Sequence, residues 1–122
     1  MKDDFYAPVK KTHADPGWYR AKIERVRRVE GQYGDQFVFN FSLKDNDGEN
    51  VEVRKYMPIS ATTGNILGSL AAAIGINVAE CPGFDVSGWL GKKIMVQLQD
   101  KNAASGIMSN IIGFGPVDAV HD

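Results

Sequence analysis

Between Asp35 and Tyr56 the chain alternates apolar and polar residues with a period of two. Phe37, Phe39, Phe41 and Leu43 interleave with Gln36, Val38, Asn40, Ser42 and Lys44. In an extended chain that period places the four large apolar side chains on one face. Asp45-Asn46-Asp47-Gly48 comes next. It is a turn signal, because glycine takes positive φ without a clash and Asp or Asn bonds its own nearby backbone. The chain returns with Val51 and Val53 on one face and Glu52, Arg54 and Tyr56 on the other. The pattern predicts a hairpin with one wall in a core. Its second wall carries amides, a guanidinium and a phenol.

The flanking segments follow the same logic. Tyr19, Ala21 and Ile23 share one parity, and Trp18, Arg20, Lys22 and Glu24 the other. Val26 then breaks the parity, which predicts a β-bulge and a bend in a long first strand over residues 17–30. Gly31-Gln32-Tyr33-Gly34 is the turn into the hairpin. After Pro58 the period changes to that of a helix, with Ile66, Leu67, Leu70 and Ile74 on one side. Thr62 or Thr63 is the expected cap and Gly75 the stop. Residues 77–91 are looser, with a short turn near Ser87–Gly91 and Trp89 as a core plug. A fourth strand turns Ile94, Val96 and Leu98 inward and Lys93, Met95, Gln97 and Gln99 outward. Residues 101–106 read as a polar loop, and residues 107–114 as a last strand.

The order β-β-β-α-β-β gives an all-β fold class with one helix. Two open apolar edges would be a liability, so the sheet is expected to curl and close. A bulged first strand and a helix between strands three and four are features of a five-stranded OB barrel. The alternative is a small open α+β sheet covered on one side by the helix. The expected domain spans residues 17–115, after a flexible arm at 1–16 and before a short tail at 116–122.

Charge sharpens the picture. The net charge of −1 announces no polyanion partner, yet Gly17–Glu30 holds five basic residues against two acids, and residues 58–91 hold no Lys or Arg. Such segregation is compatible with a basic stripe on one face. Cys81 is the only cysteine, so no internal disulfide can form, which fits a reducing compartment. The N-terminus lacks an apolar signal core and no stretch suits a membrane span, so a cytoplasmic protein is expected.

Catalytic chemistry finds no constellation. His13 and His121 sit near the ends, and no Cys/His spacing suits a zinc site. No P-loop or dinucleotide fingerprint occurs. Asp45, Asp47 and Glu49 suggest calcium by composition, but Gly48 is misplaced for an EF-hand loop, and a plain turn explains them. The expectation is a protein without catalysis or cofactor. Single-stranded nucleic acid asks only for aromatic faces to stack bases and basic groups to track phosphates. The outward positions offer Trp18, Arg20, Lys22, Asn40, Arg54 and Tyr56, with Tyr33 in the first turn. Lys93, Gln97, Gln99 and Lys101 add a polar flank. Trp18 either stacks a base or closes the end of the barrel, and Tyr56 either stacks or caps the helix region. Arg25, Arg27 and Arg28 read as a solvated strand edge or as a phosphate path.

G-W-Y-R-A-K-I, Q-Y-G-D-Q-F-V-F-N-F, V-R-K-Y-M-P and D-V-S-G-W-L-G-K-K-I-M-V-Q-L, in this order across residues 17–116, resemble small phage-type OB-fold single-stranded-DNA-binding proteins. The resemblance implies an OB fold, no catalysis, and single-stranded DNA binding in replication or recombination, in the host cytoplasm if phage-encoded. Replication or recombination proteins would be its partners. Many such proteins end in a long acidic tail; here P-V-D-A-V-H-D carries only two acids, so recruitment through a tail is not expected. Three rival readings remain open. Single-stranded RNA could replace DNA, the fold could serve as a protein–protein assembly module, including a homodimer through strand edges, or the aromatic and amide groups could bind an oligosaccharide.

Overall fold

The computed structural model describes residues 11–32, 34–104 and 106–117. Its strands are β1 (Gly17–Gly31), β2 (Gly34–Lys44), β3 (Asn50–Pro58), β4 (Lys93–Ala103) and β5 (Gly106–Gly115). Helix α1 (Ile66–Ile74) and a 3₁₀ turn (Val86–Trp89) lie between β3 and β4. All pairings are antiparallel, in one sheet of order β3-β2-β1-β4-β5.

β1 is the spine of this sheet. It pairs with β4 from Gly17 to Lys22 and with β2 from Ala21 to Gly31. The β1–β2 register shifts between Ile23 and Arg25, so the extra residue is Glu24, as the parity break predicts. Such a bulge bends the strand and raises its twist, and the two halves of β1 serve two wings of the sheet. The hairpin β2–β3 has the register its alternation requires, with Phe41 opposite Val53 and Leu43 opposite Val51. At its turn Gly48 has φ 80° and donates to the Asp45 carbonyl at 3.0 Å.

The inner face is the core. Phe39, Phe41, Ile23, Met57, Leu70 and Ile94 are wholly buried. Phe39 stacks on Phe41 at 6.0 Å and on Trp89 at 6.1 Å, and Trp89 meets Phe84 at 4.9 Å. Trp89 is thus the core plug expected of it. Helix α1 packs against β3, β4 and β5 through Leu67, Leu70, Ala71 and Ala73. Its cap is Asn65 rather than either threonine. The Asn65 Oδ1 accepts from Gly68 N at 2.9 Å and from Thr62 N at 3.1 Å, so one side chain serves both the helix and the loop before it. Gly75, in the left-handed region at φ 103°, ends the helix as expected.

Three expectations need correction. The segment 101–103 belongs to β4, so Lys101 projects from a strand and not from a loop. The lead-in is tied to the sheet from Lys11 onward; residues 1–10 lie outside the described residues. Glu52 N donates to the Lys11 carbonyl at 2.9 Å, Ala14 is buried, and Ser109 Oγ bonds both Ala14 N (2.9 Å) and Ala14 O (3.0 Å). The third concerns closure. β3 and β5 approach each other, but no backbone ladder joins them. Lys55 Nζ donates to Asn110 Oδ1 at 3.0 Å across the gap. A lysine stem and an amide hold the two edges a side chain apart, where backbone groups cannot pair. Among the described residues no helix is long and apolar enough to cross a membrane.

Candidate functional site

The bulge decides which side chains share the outer face. Before Glu24 the even residues of β1 point outward; after it the odd ones do. Arg25 lies opposite Asn40, which lies opposite Arg54; Arg27 lies opposite Val38, which lies opposite Tyr56. Directly opposed residues share a face and stand close enough for their side chains to interact. One cross-strand row therefore reads Arg25·Asn40·Arg54 and the next Arg27·Val38·Tyr56. Further along, Lys22 faces Ser42 on one side and Lys93 on the other, and Ser42 faces Glu52.

The same face carries a shallow cleft of about 460 Å³ where Arg20, Lys22, Lys44 and Lys93 converge with Ser42 and Asn50. Among the described residues, seven exposed basic side chains thus share the outer face: Arg20, Lys22, Arg25, Arg27, Lys44, Arg54 and Lys93. Against them stand Glu24 and Glu52. Glu24 accepts from Ser42 Oγ at 2.8 Å and pairs with Lys22 at 3.2 Å, and these two contacts hold its carboxyl below the usual glutamate range. In a chain of net charge −1 this face is a concentrated positive field.

Two aromatic rings flank that field. Tyr56 is 50% exposed on β3. Trp18, 49% exposed at the start of β1, lies beside β5, where Gly113 and Gly115 leave room for its ring. A Cβ at Gly115 would stand 3.5 Å from Trp18 Cζ3. Gln97 lies directly opposite Trp18 on β4. Trp18 therefore presents an outward ring rather than sealing the core, a task that falls to Trp89.

A larger cleft of about 590 Å³ opens around the other side of β3, between its edge and the β4–β5 hairpin. Arg54, Lys55, Tyr56 and Lys101 line it with Met108 and Asn110. Lys55 has the inward parity of β3 and is half-buried. Burial first, and then the positive charge of Lys101, push its ammonium below the usual lysine range.

The expected residues thus fall into groups. Arg20, Lys22 and Lys93 meet in one cleft, Arg54, Tyr56 and Lys101 in the other, and Trp18 meets Gln97 beside β5. Gln99 is exposed on β4 opposite Asn110. Tyr33 lies outside the described residues. Asn40 is corrected: it is only 9% exposed, because it sits on a middle strand between two arginines. Its Nδ2 donates to Glu52 Oε1 at 3.2 Å, and its Oδ1 has no hydrogen-bond partner among the described residues. Lys44 and Lys55 are the site residues that sequence reasoning passed over, and Arg25 and Arg27 were left between a solvated strand edge and a phosphate path. For the two arginines the signal was the bulge, followed through to the parity beyond it. Asp45, Asp47 and Glu49 do bring their carboxylates together, but the Lys11 ammonium pairs with Asp45 and lies 3.5 Å from Glu49, and Asp45 Oδ1 accepts from the backbone of Asp47 and Glu49. No protein-family model matches the chain, and no curated protein is similar to it in sequence.

Proposed function

We propose that the protein binds single-stranded DNA, largely without regard to sequence, across the outer face of β1, β2 and β3. The observation that carries this reading is the gathering of seven basic side chains and two exposed aromatic rings on one face of a chain whose net charge is −1. Basic groups neutralise phosphates regardless of base, and every base has a π-face to stack. The reading includes an OB-type architecture. In its favour are the bulged spine strand, the helix between β3 and β4, and the approach of β3 to β5 through Lys55 and Asn110. A role in replication or recombination, without catalysis, rests on the sequence resemblance alone.

A titration of labelled oligonucleotides by anisotropy tests the reading, with single-stranded DNA, duplex DNA and single-stranded RNA as arms. Single-stranded DNA should bind tightest, and its affinity should fall with salt. Absence of binding at low salt and micromolar protein would sink the proposal, and tighter binding of RNA would reassign the polymer. One observation favours a second reading, an assembly module. Ile107, Met108 and Ile112 are exposed along the edge strand β5, at 59%, 40% and 44%. An unpaired apolar edge is a template for another chain. Light scattering would report a concentration-dependent oligomer on that reading.

A further inference from the structure

We infer that the cleft between β3 and the β4–β5 hairpin is a phosphate site, in which one phosphate group bridges the ammonium groups of Lys55 and Lys101. The inference deepens the single-strand reading, on which it rests: it continues the path of the strand over the β3 edge and names where a phosphate is anchored.

The cleft is built for an anion. Arg54, Lys55 and Lys101 line it, and Glu52 is its one carboxylate among the described residues. That carboxylate is engaged by the Asn40 amide at 3.2 Å. Neither Lys55 nor Lys101 has an ion-pair partner among the described residues. Two like charges facing one cleft repel, and a shared anion turns that repulsion into attraction at both ends. Asn110 fixes the arrangement. Its Oδ1 accepts from Lys55 Nζ, so its Nδ2 is the end left to donate to a phosphate oxygen. The volume, about 590 Å³, lies within the range of small-ligand sites, and Tyr56 and Met108 supply apolar surface for an attached nucleoside. Arg54 and Tyr56 belong to the cleft and to the outer face alike, which makes the two surfaces continuous.

Proton linkage follows from the same geometry. Among the described residues, the titratable groups around Lys55 are Glu52, Arg54 and Tyr56 on β3 and Lys101 on β4, and the residues of β5 and the lead-in that line the cleft are uncharged. Without an anion, burial and Lys101 disfavour the charged form of Lys55. A phosphate restores it, so binding at alkaline pH takes up a proton.

The test compares wild type with Lys55→Gln, Lys101→Gln, the double variant and Lys55→Arg. One arm uses an unstructured thymidine oligonucleotide, and a second uses thymidine monophosphate and inorganic phosphate followed by NMR of the Asn110 side-chain amide. Each Gln variant should flatten the log–log salt dependence of oligonucleotide binding by about 0.7, the share of one phosphate, or about fivefold over a decade of salt. The double variant should lose no more than either single one, because both lysines hold the same phosphate. Wild-type affinity should fall as the pH rises, starting below the ordinary lysine range because the Lys55 ammonium is held below it, and Lys55→Arg should remove that fall. If wild type binds the oligonucleotide and the Gln variants match it, the cleft is overturned while the outer face stands. If wild type binds no oligonucleotide, the outer-face reading fails, and the small-molecule arm decides alone. A shift of the Asn110 amide lost in Lys55→Gln then supports a site for free nucleotides, and no shift overturns it.

Discussion

At the scale of single residues, the core, the tight backbone contacts and the turn make separable predictions. Phe39 is wholly buried between Phe41 and Trp89 and meets Phe37 edge-on at 6.3 Å. Phe39→Ala should cost about 3–5 kcal/mol in chemical denaturation, the lost transfer energy plus the cavity left behind. Gly68 sets two effects against each other. Alanine is better than glycine inside a helix by up to about 1 kcal/mol. Here, however, a Cβ would stand 1.7 Å from the Thr62 carbonyl oxygen, which is backbone and cannot swing aside. The clash should win, so Gly68→Ala should destabilise by about 1–3 kcal/mol, the usual cost of overpacking. A melting temperature at or above that of wild type would refute this. At the turn, Asp45 is held below the usual aspartate range, first by the Lys11 side chain and then by the backbone N–H of Glu49. A carboxyl so lowered contributes stability that is present above the ordinary aspartate pKa and lost as the pH falls through the lowered value. Asp45→Asn should therefore narrow the gap in melting temperature between neutral solution and about pH 3. The Phe stripe and the turn were legible from the sequence, because period two and Asp-Asn-Asp-Gly are local signals. The contact of Gly68 with Thr62 was not, since it depends on how Asn65 folds the loop back onto the helix.

At the scale of elements, the lead-in carries more of the structure than its composition suggests. Residues 11–16 lack any period, so the sequence reads them as an arm. Yet Lys11 bridges in parallel to Val51, Ala14 is buried against Ser109, and Tyr19 Oη donates to the Asp15 carbonyl at 2.6 Å. A chain beginning at Gly17 should melt below one beginning at Lys11. Ser109→Ala alone should cost about 1–3 kcal/mol, because both backbone groups of Ala14 lose their partner in a buried place. Equal melting of the two truncations would show that the lead-in only decorates the sheet. The strands themselves were legible, and so was the bulge, since each needs only its own alternation. What escaped was the consequence of the bulge. Reading Arg25 and Arg27 onto the outer face requires the register of β1 against β2 beyond Glu24, and a parity count along one strand stops at the irregularity. Asn40 misled for a related reason. Its outward parity was right, but a middle strand flanked by long side chains is covered from both sides, and exposure is a property of the sheet. Lys55 shares the parity of Val51 and Val53, so it does not stand among the outward groups; only the gap between β3 and β5 turns it toward a cleft.

At the scale of the whole molecule, the separation of charge makes the binding face a test of mechanism. If basic side chains neutralise phosphates, binding a single strand releases counterions, with a log–log salt slope of about −0.7 per phosphate contact. Arg27→Gln and Arg54→Gln should each make the slope shallower by about 0.7 and weaken all sequences alike. Tyr56→Ala should behave otherwise. Stacking releases no counterions, so affinity should drop by the equivalent of about 1–3 kcal/mol while the slope stays put. Arg27 separates the two ideas most cleanly: it lies on the outer face, in one row with Val38 and Tyr56, and takes no part in lining the cleft. Fluorescence adds an independent view, because the two tryptophans live in different places. Trp89 is 4% exposed inside the core, whereas Trp18 is 49% exposed at the far end of the basic face. Quenching on addition of single-stranded DNA should therefore vanish in Trp18→Phe. A strand that spans from Tyr56 to Trp18 should quench Trp18 and also lose affinity in Tyr56→Ala. Quenching with no effect of Arg27→Gln would confine the strand to the β4–β5 wing, around Trp18 and Gln97. An effect of Arg27→Gln without quenching would confine it to β2 and β3, where Arg54 and Tyr56 lead over the edge toward Lys55.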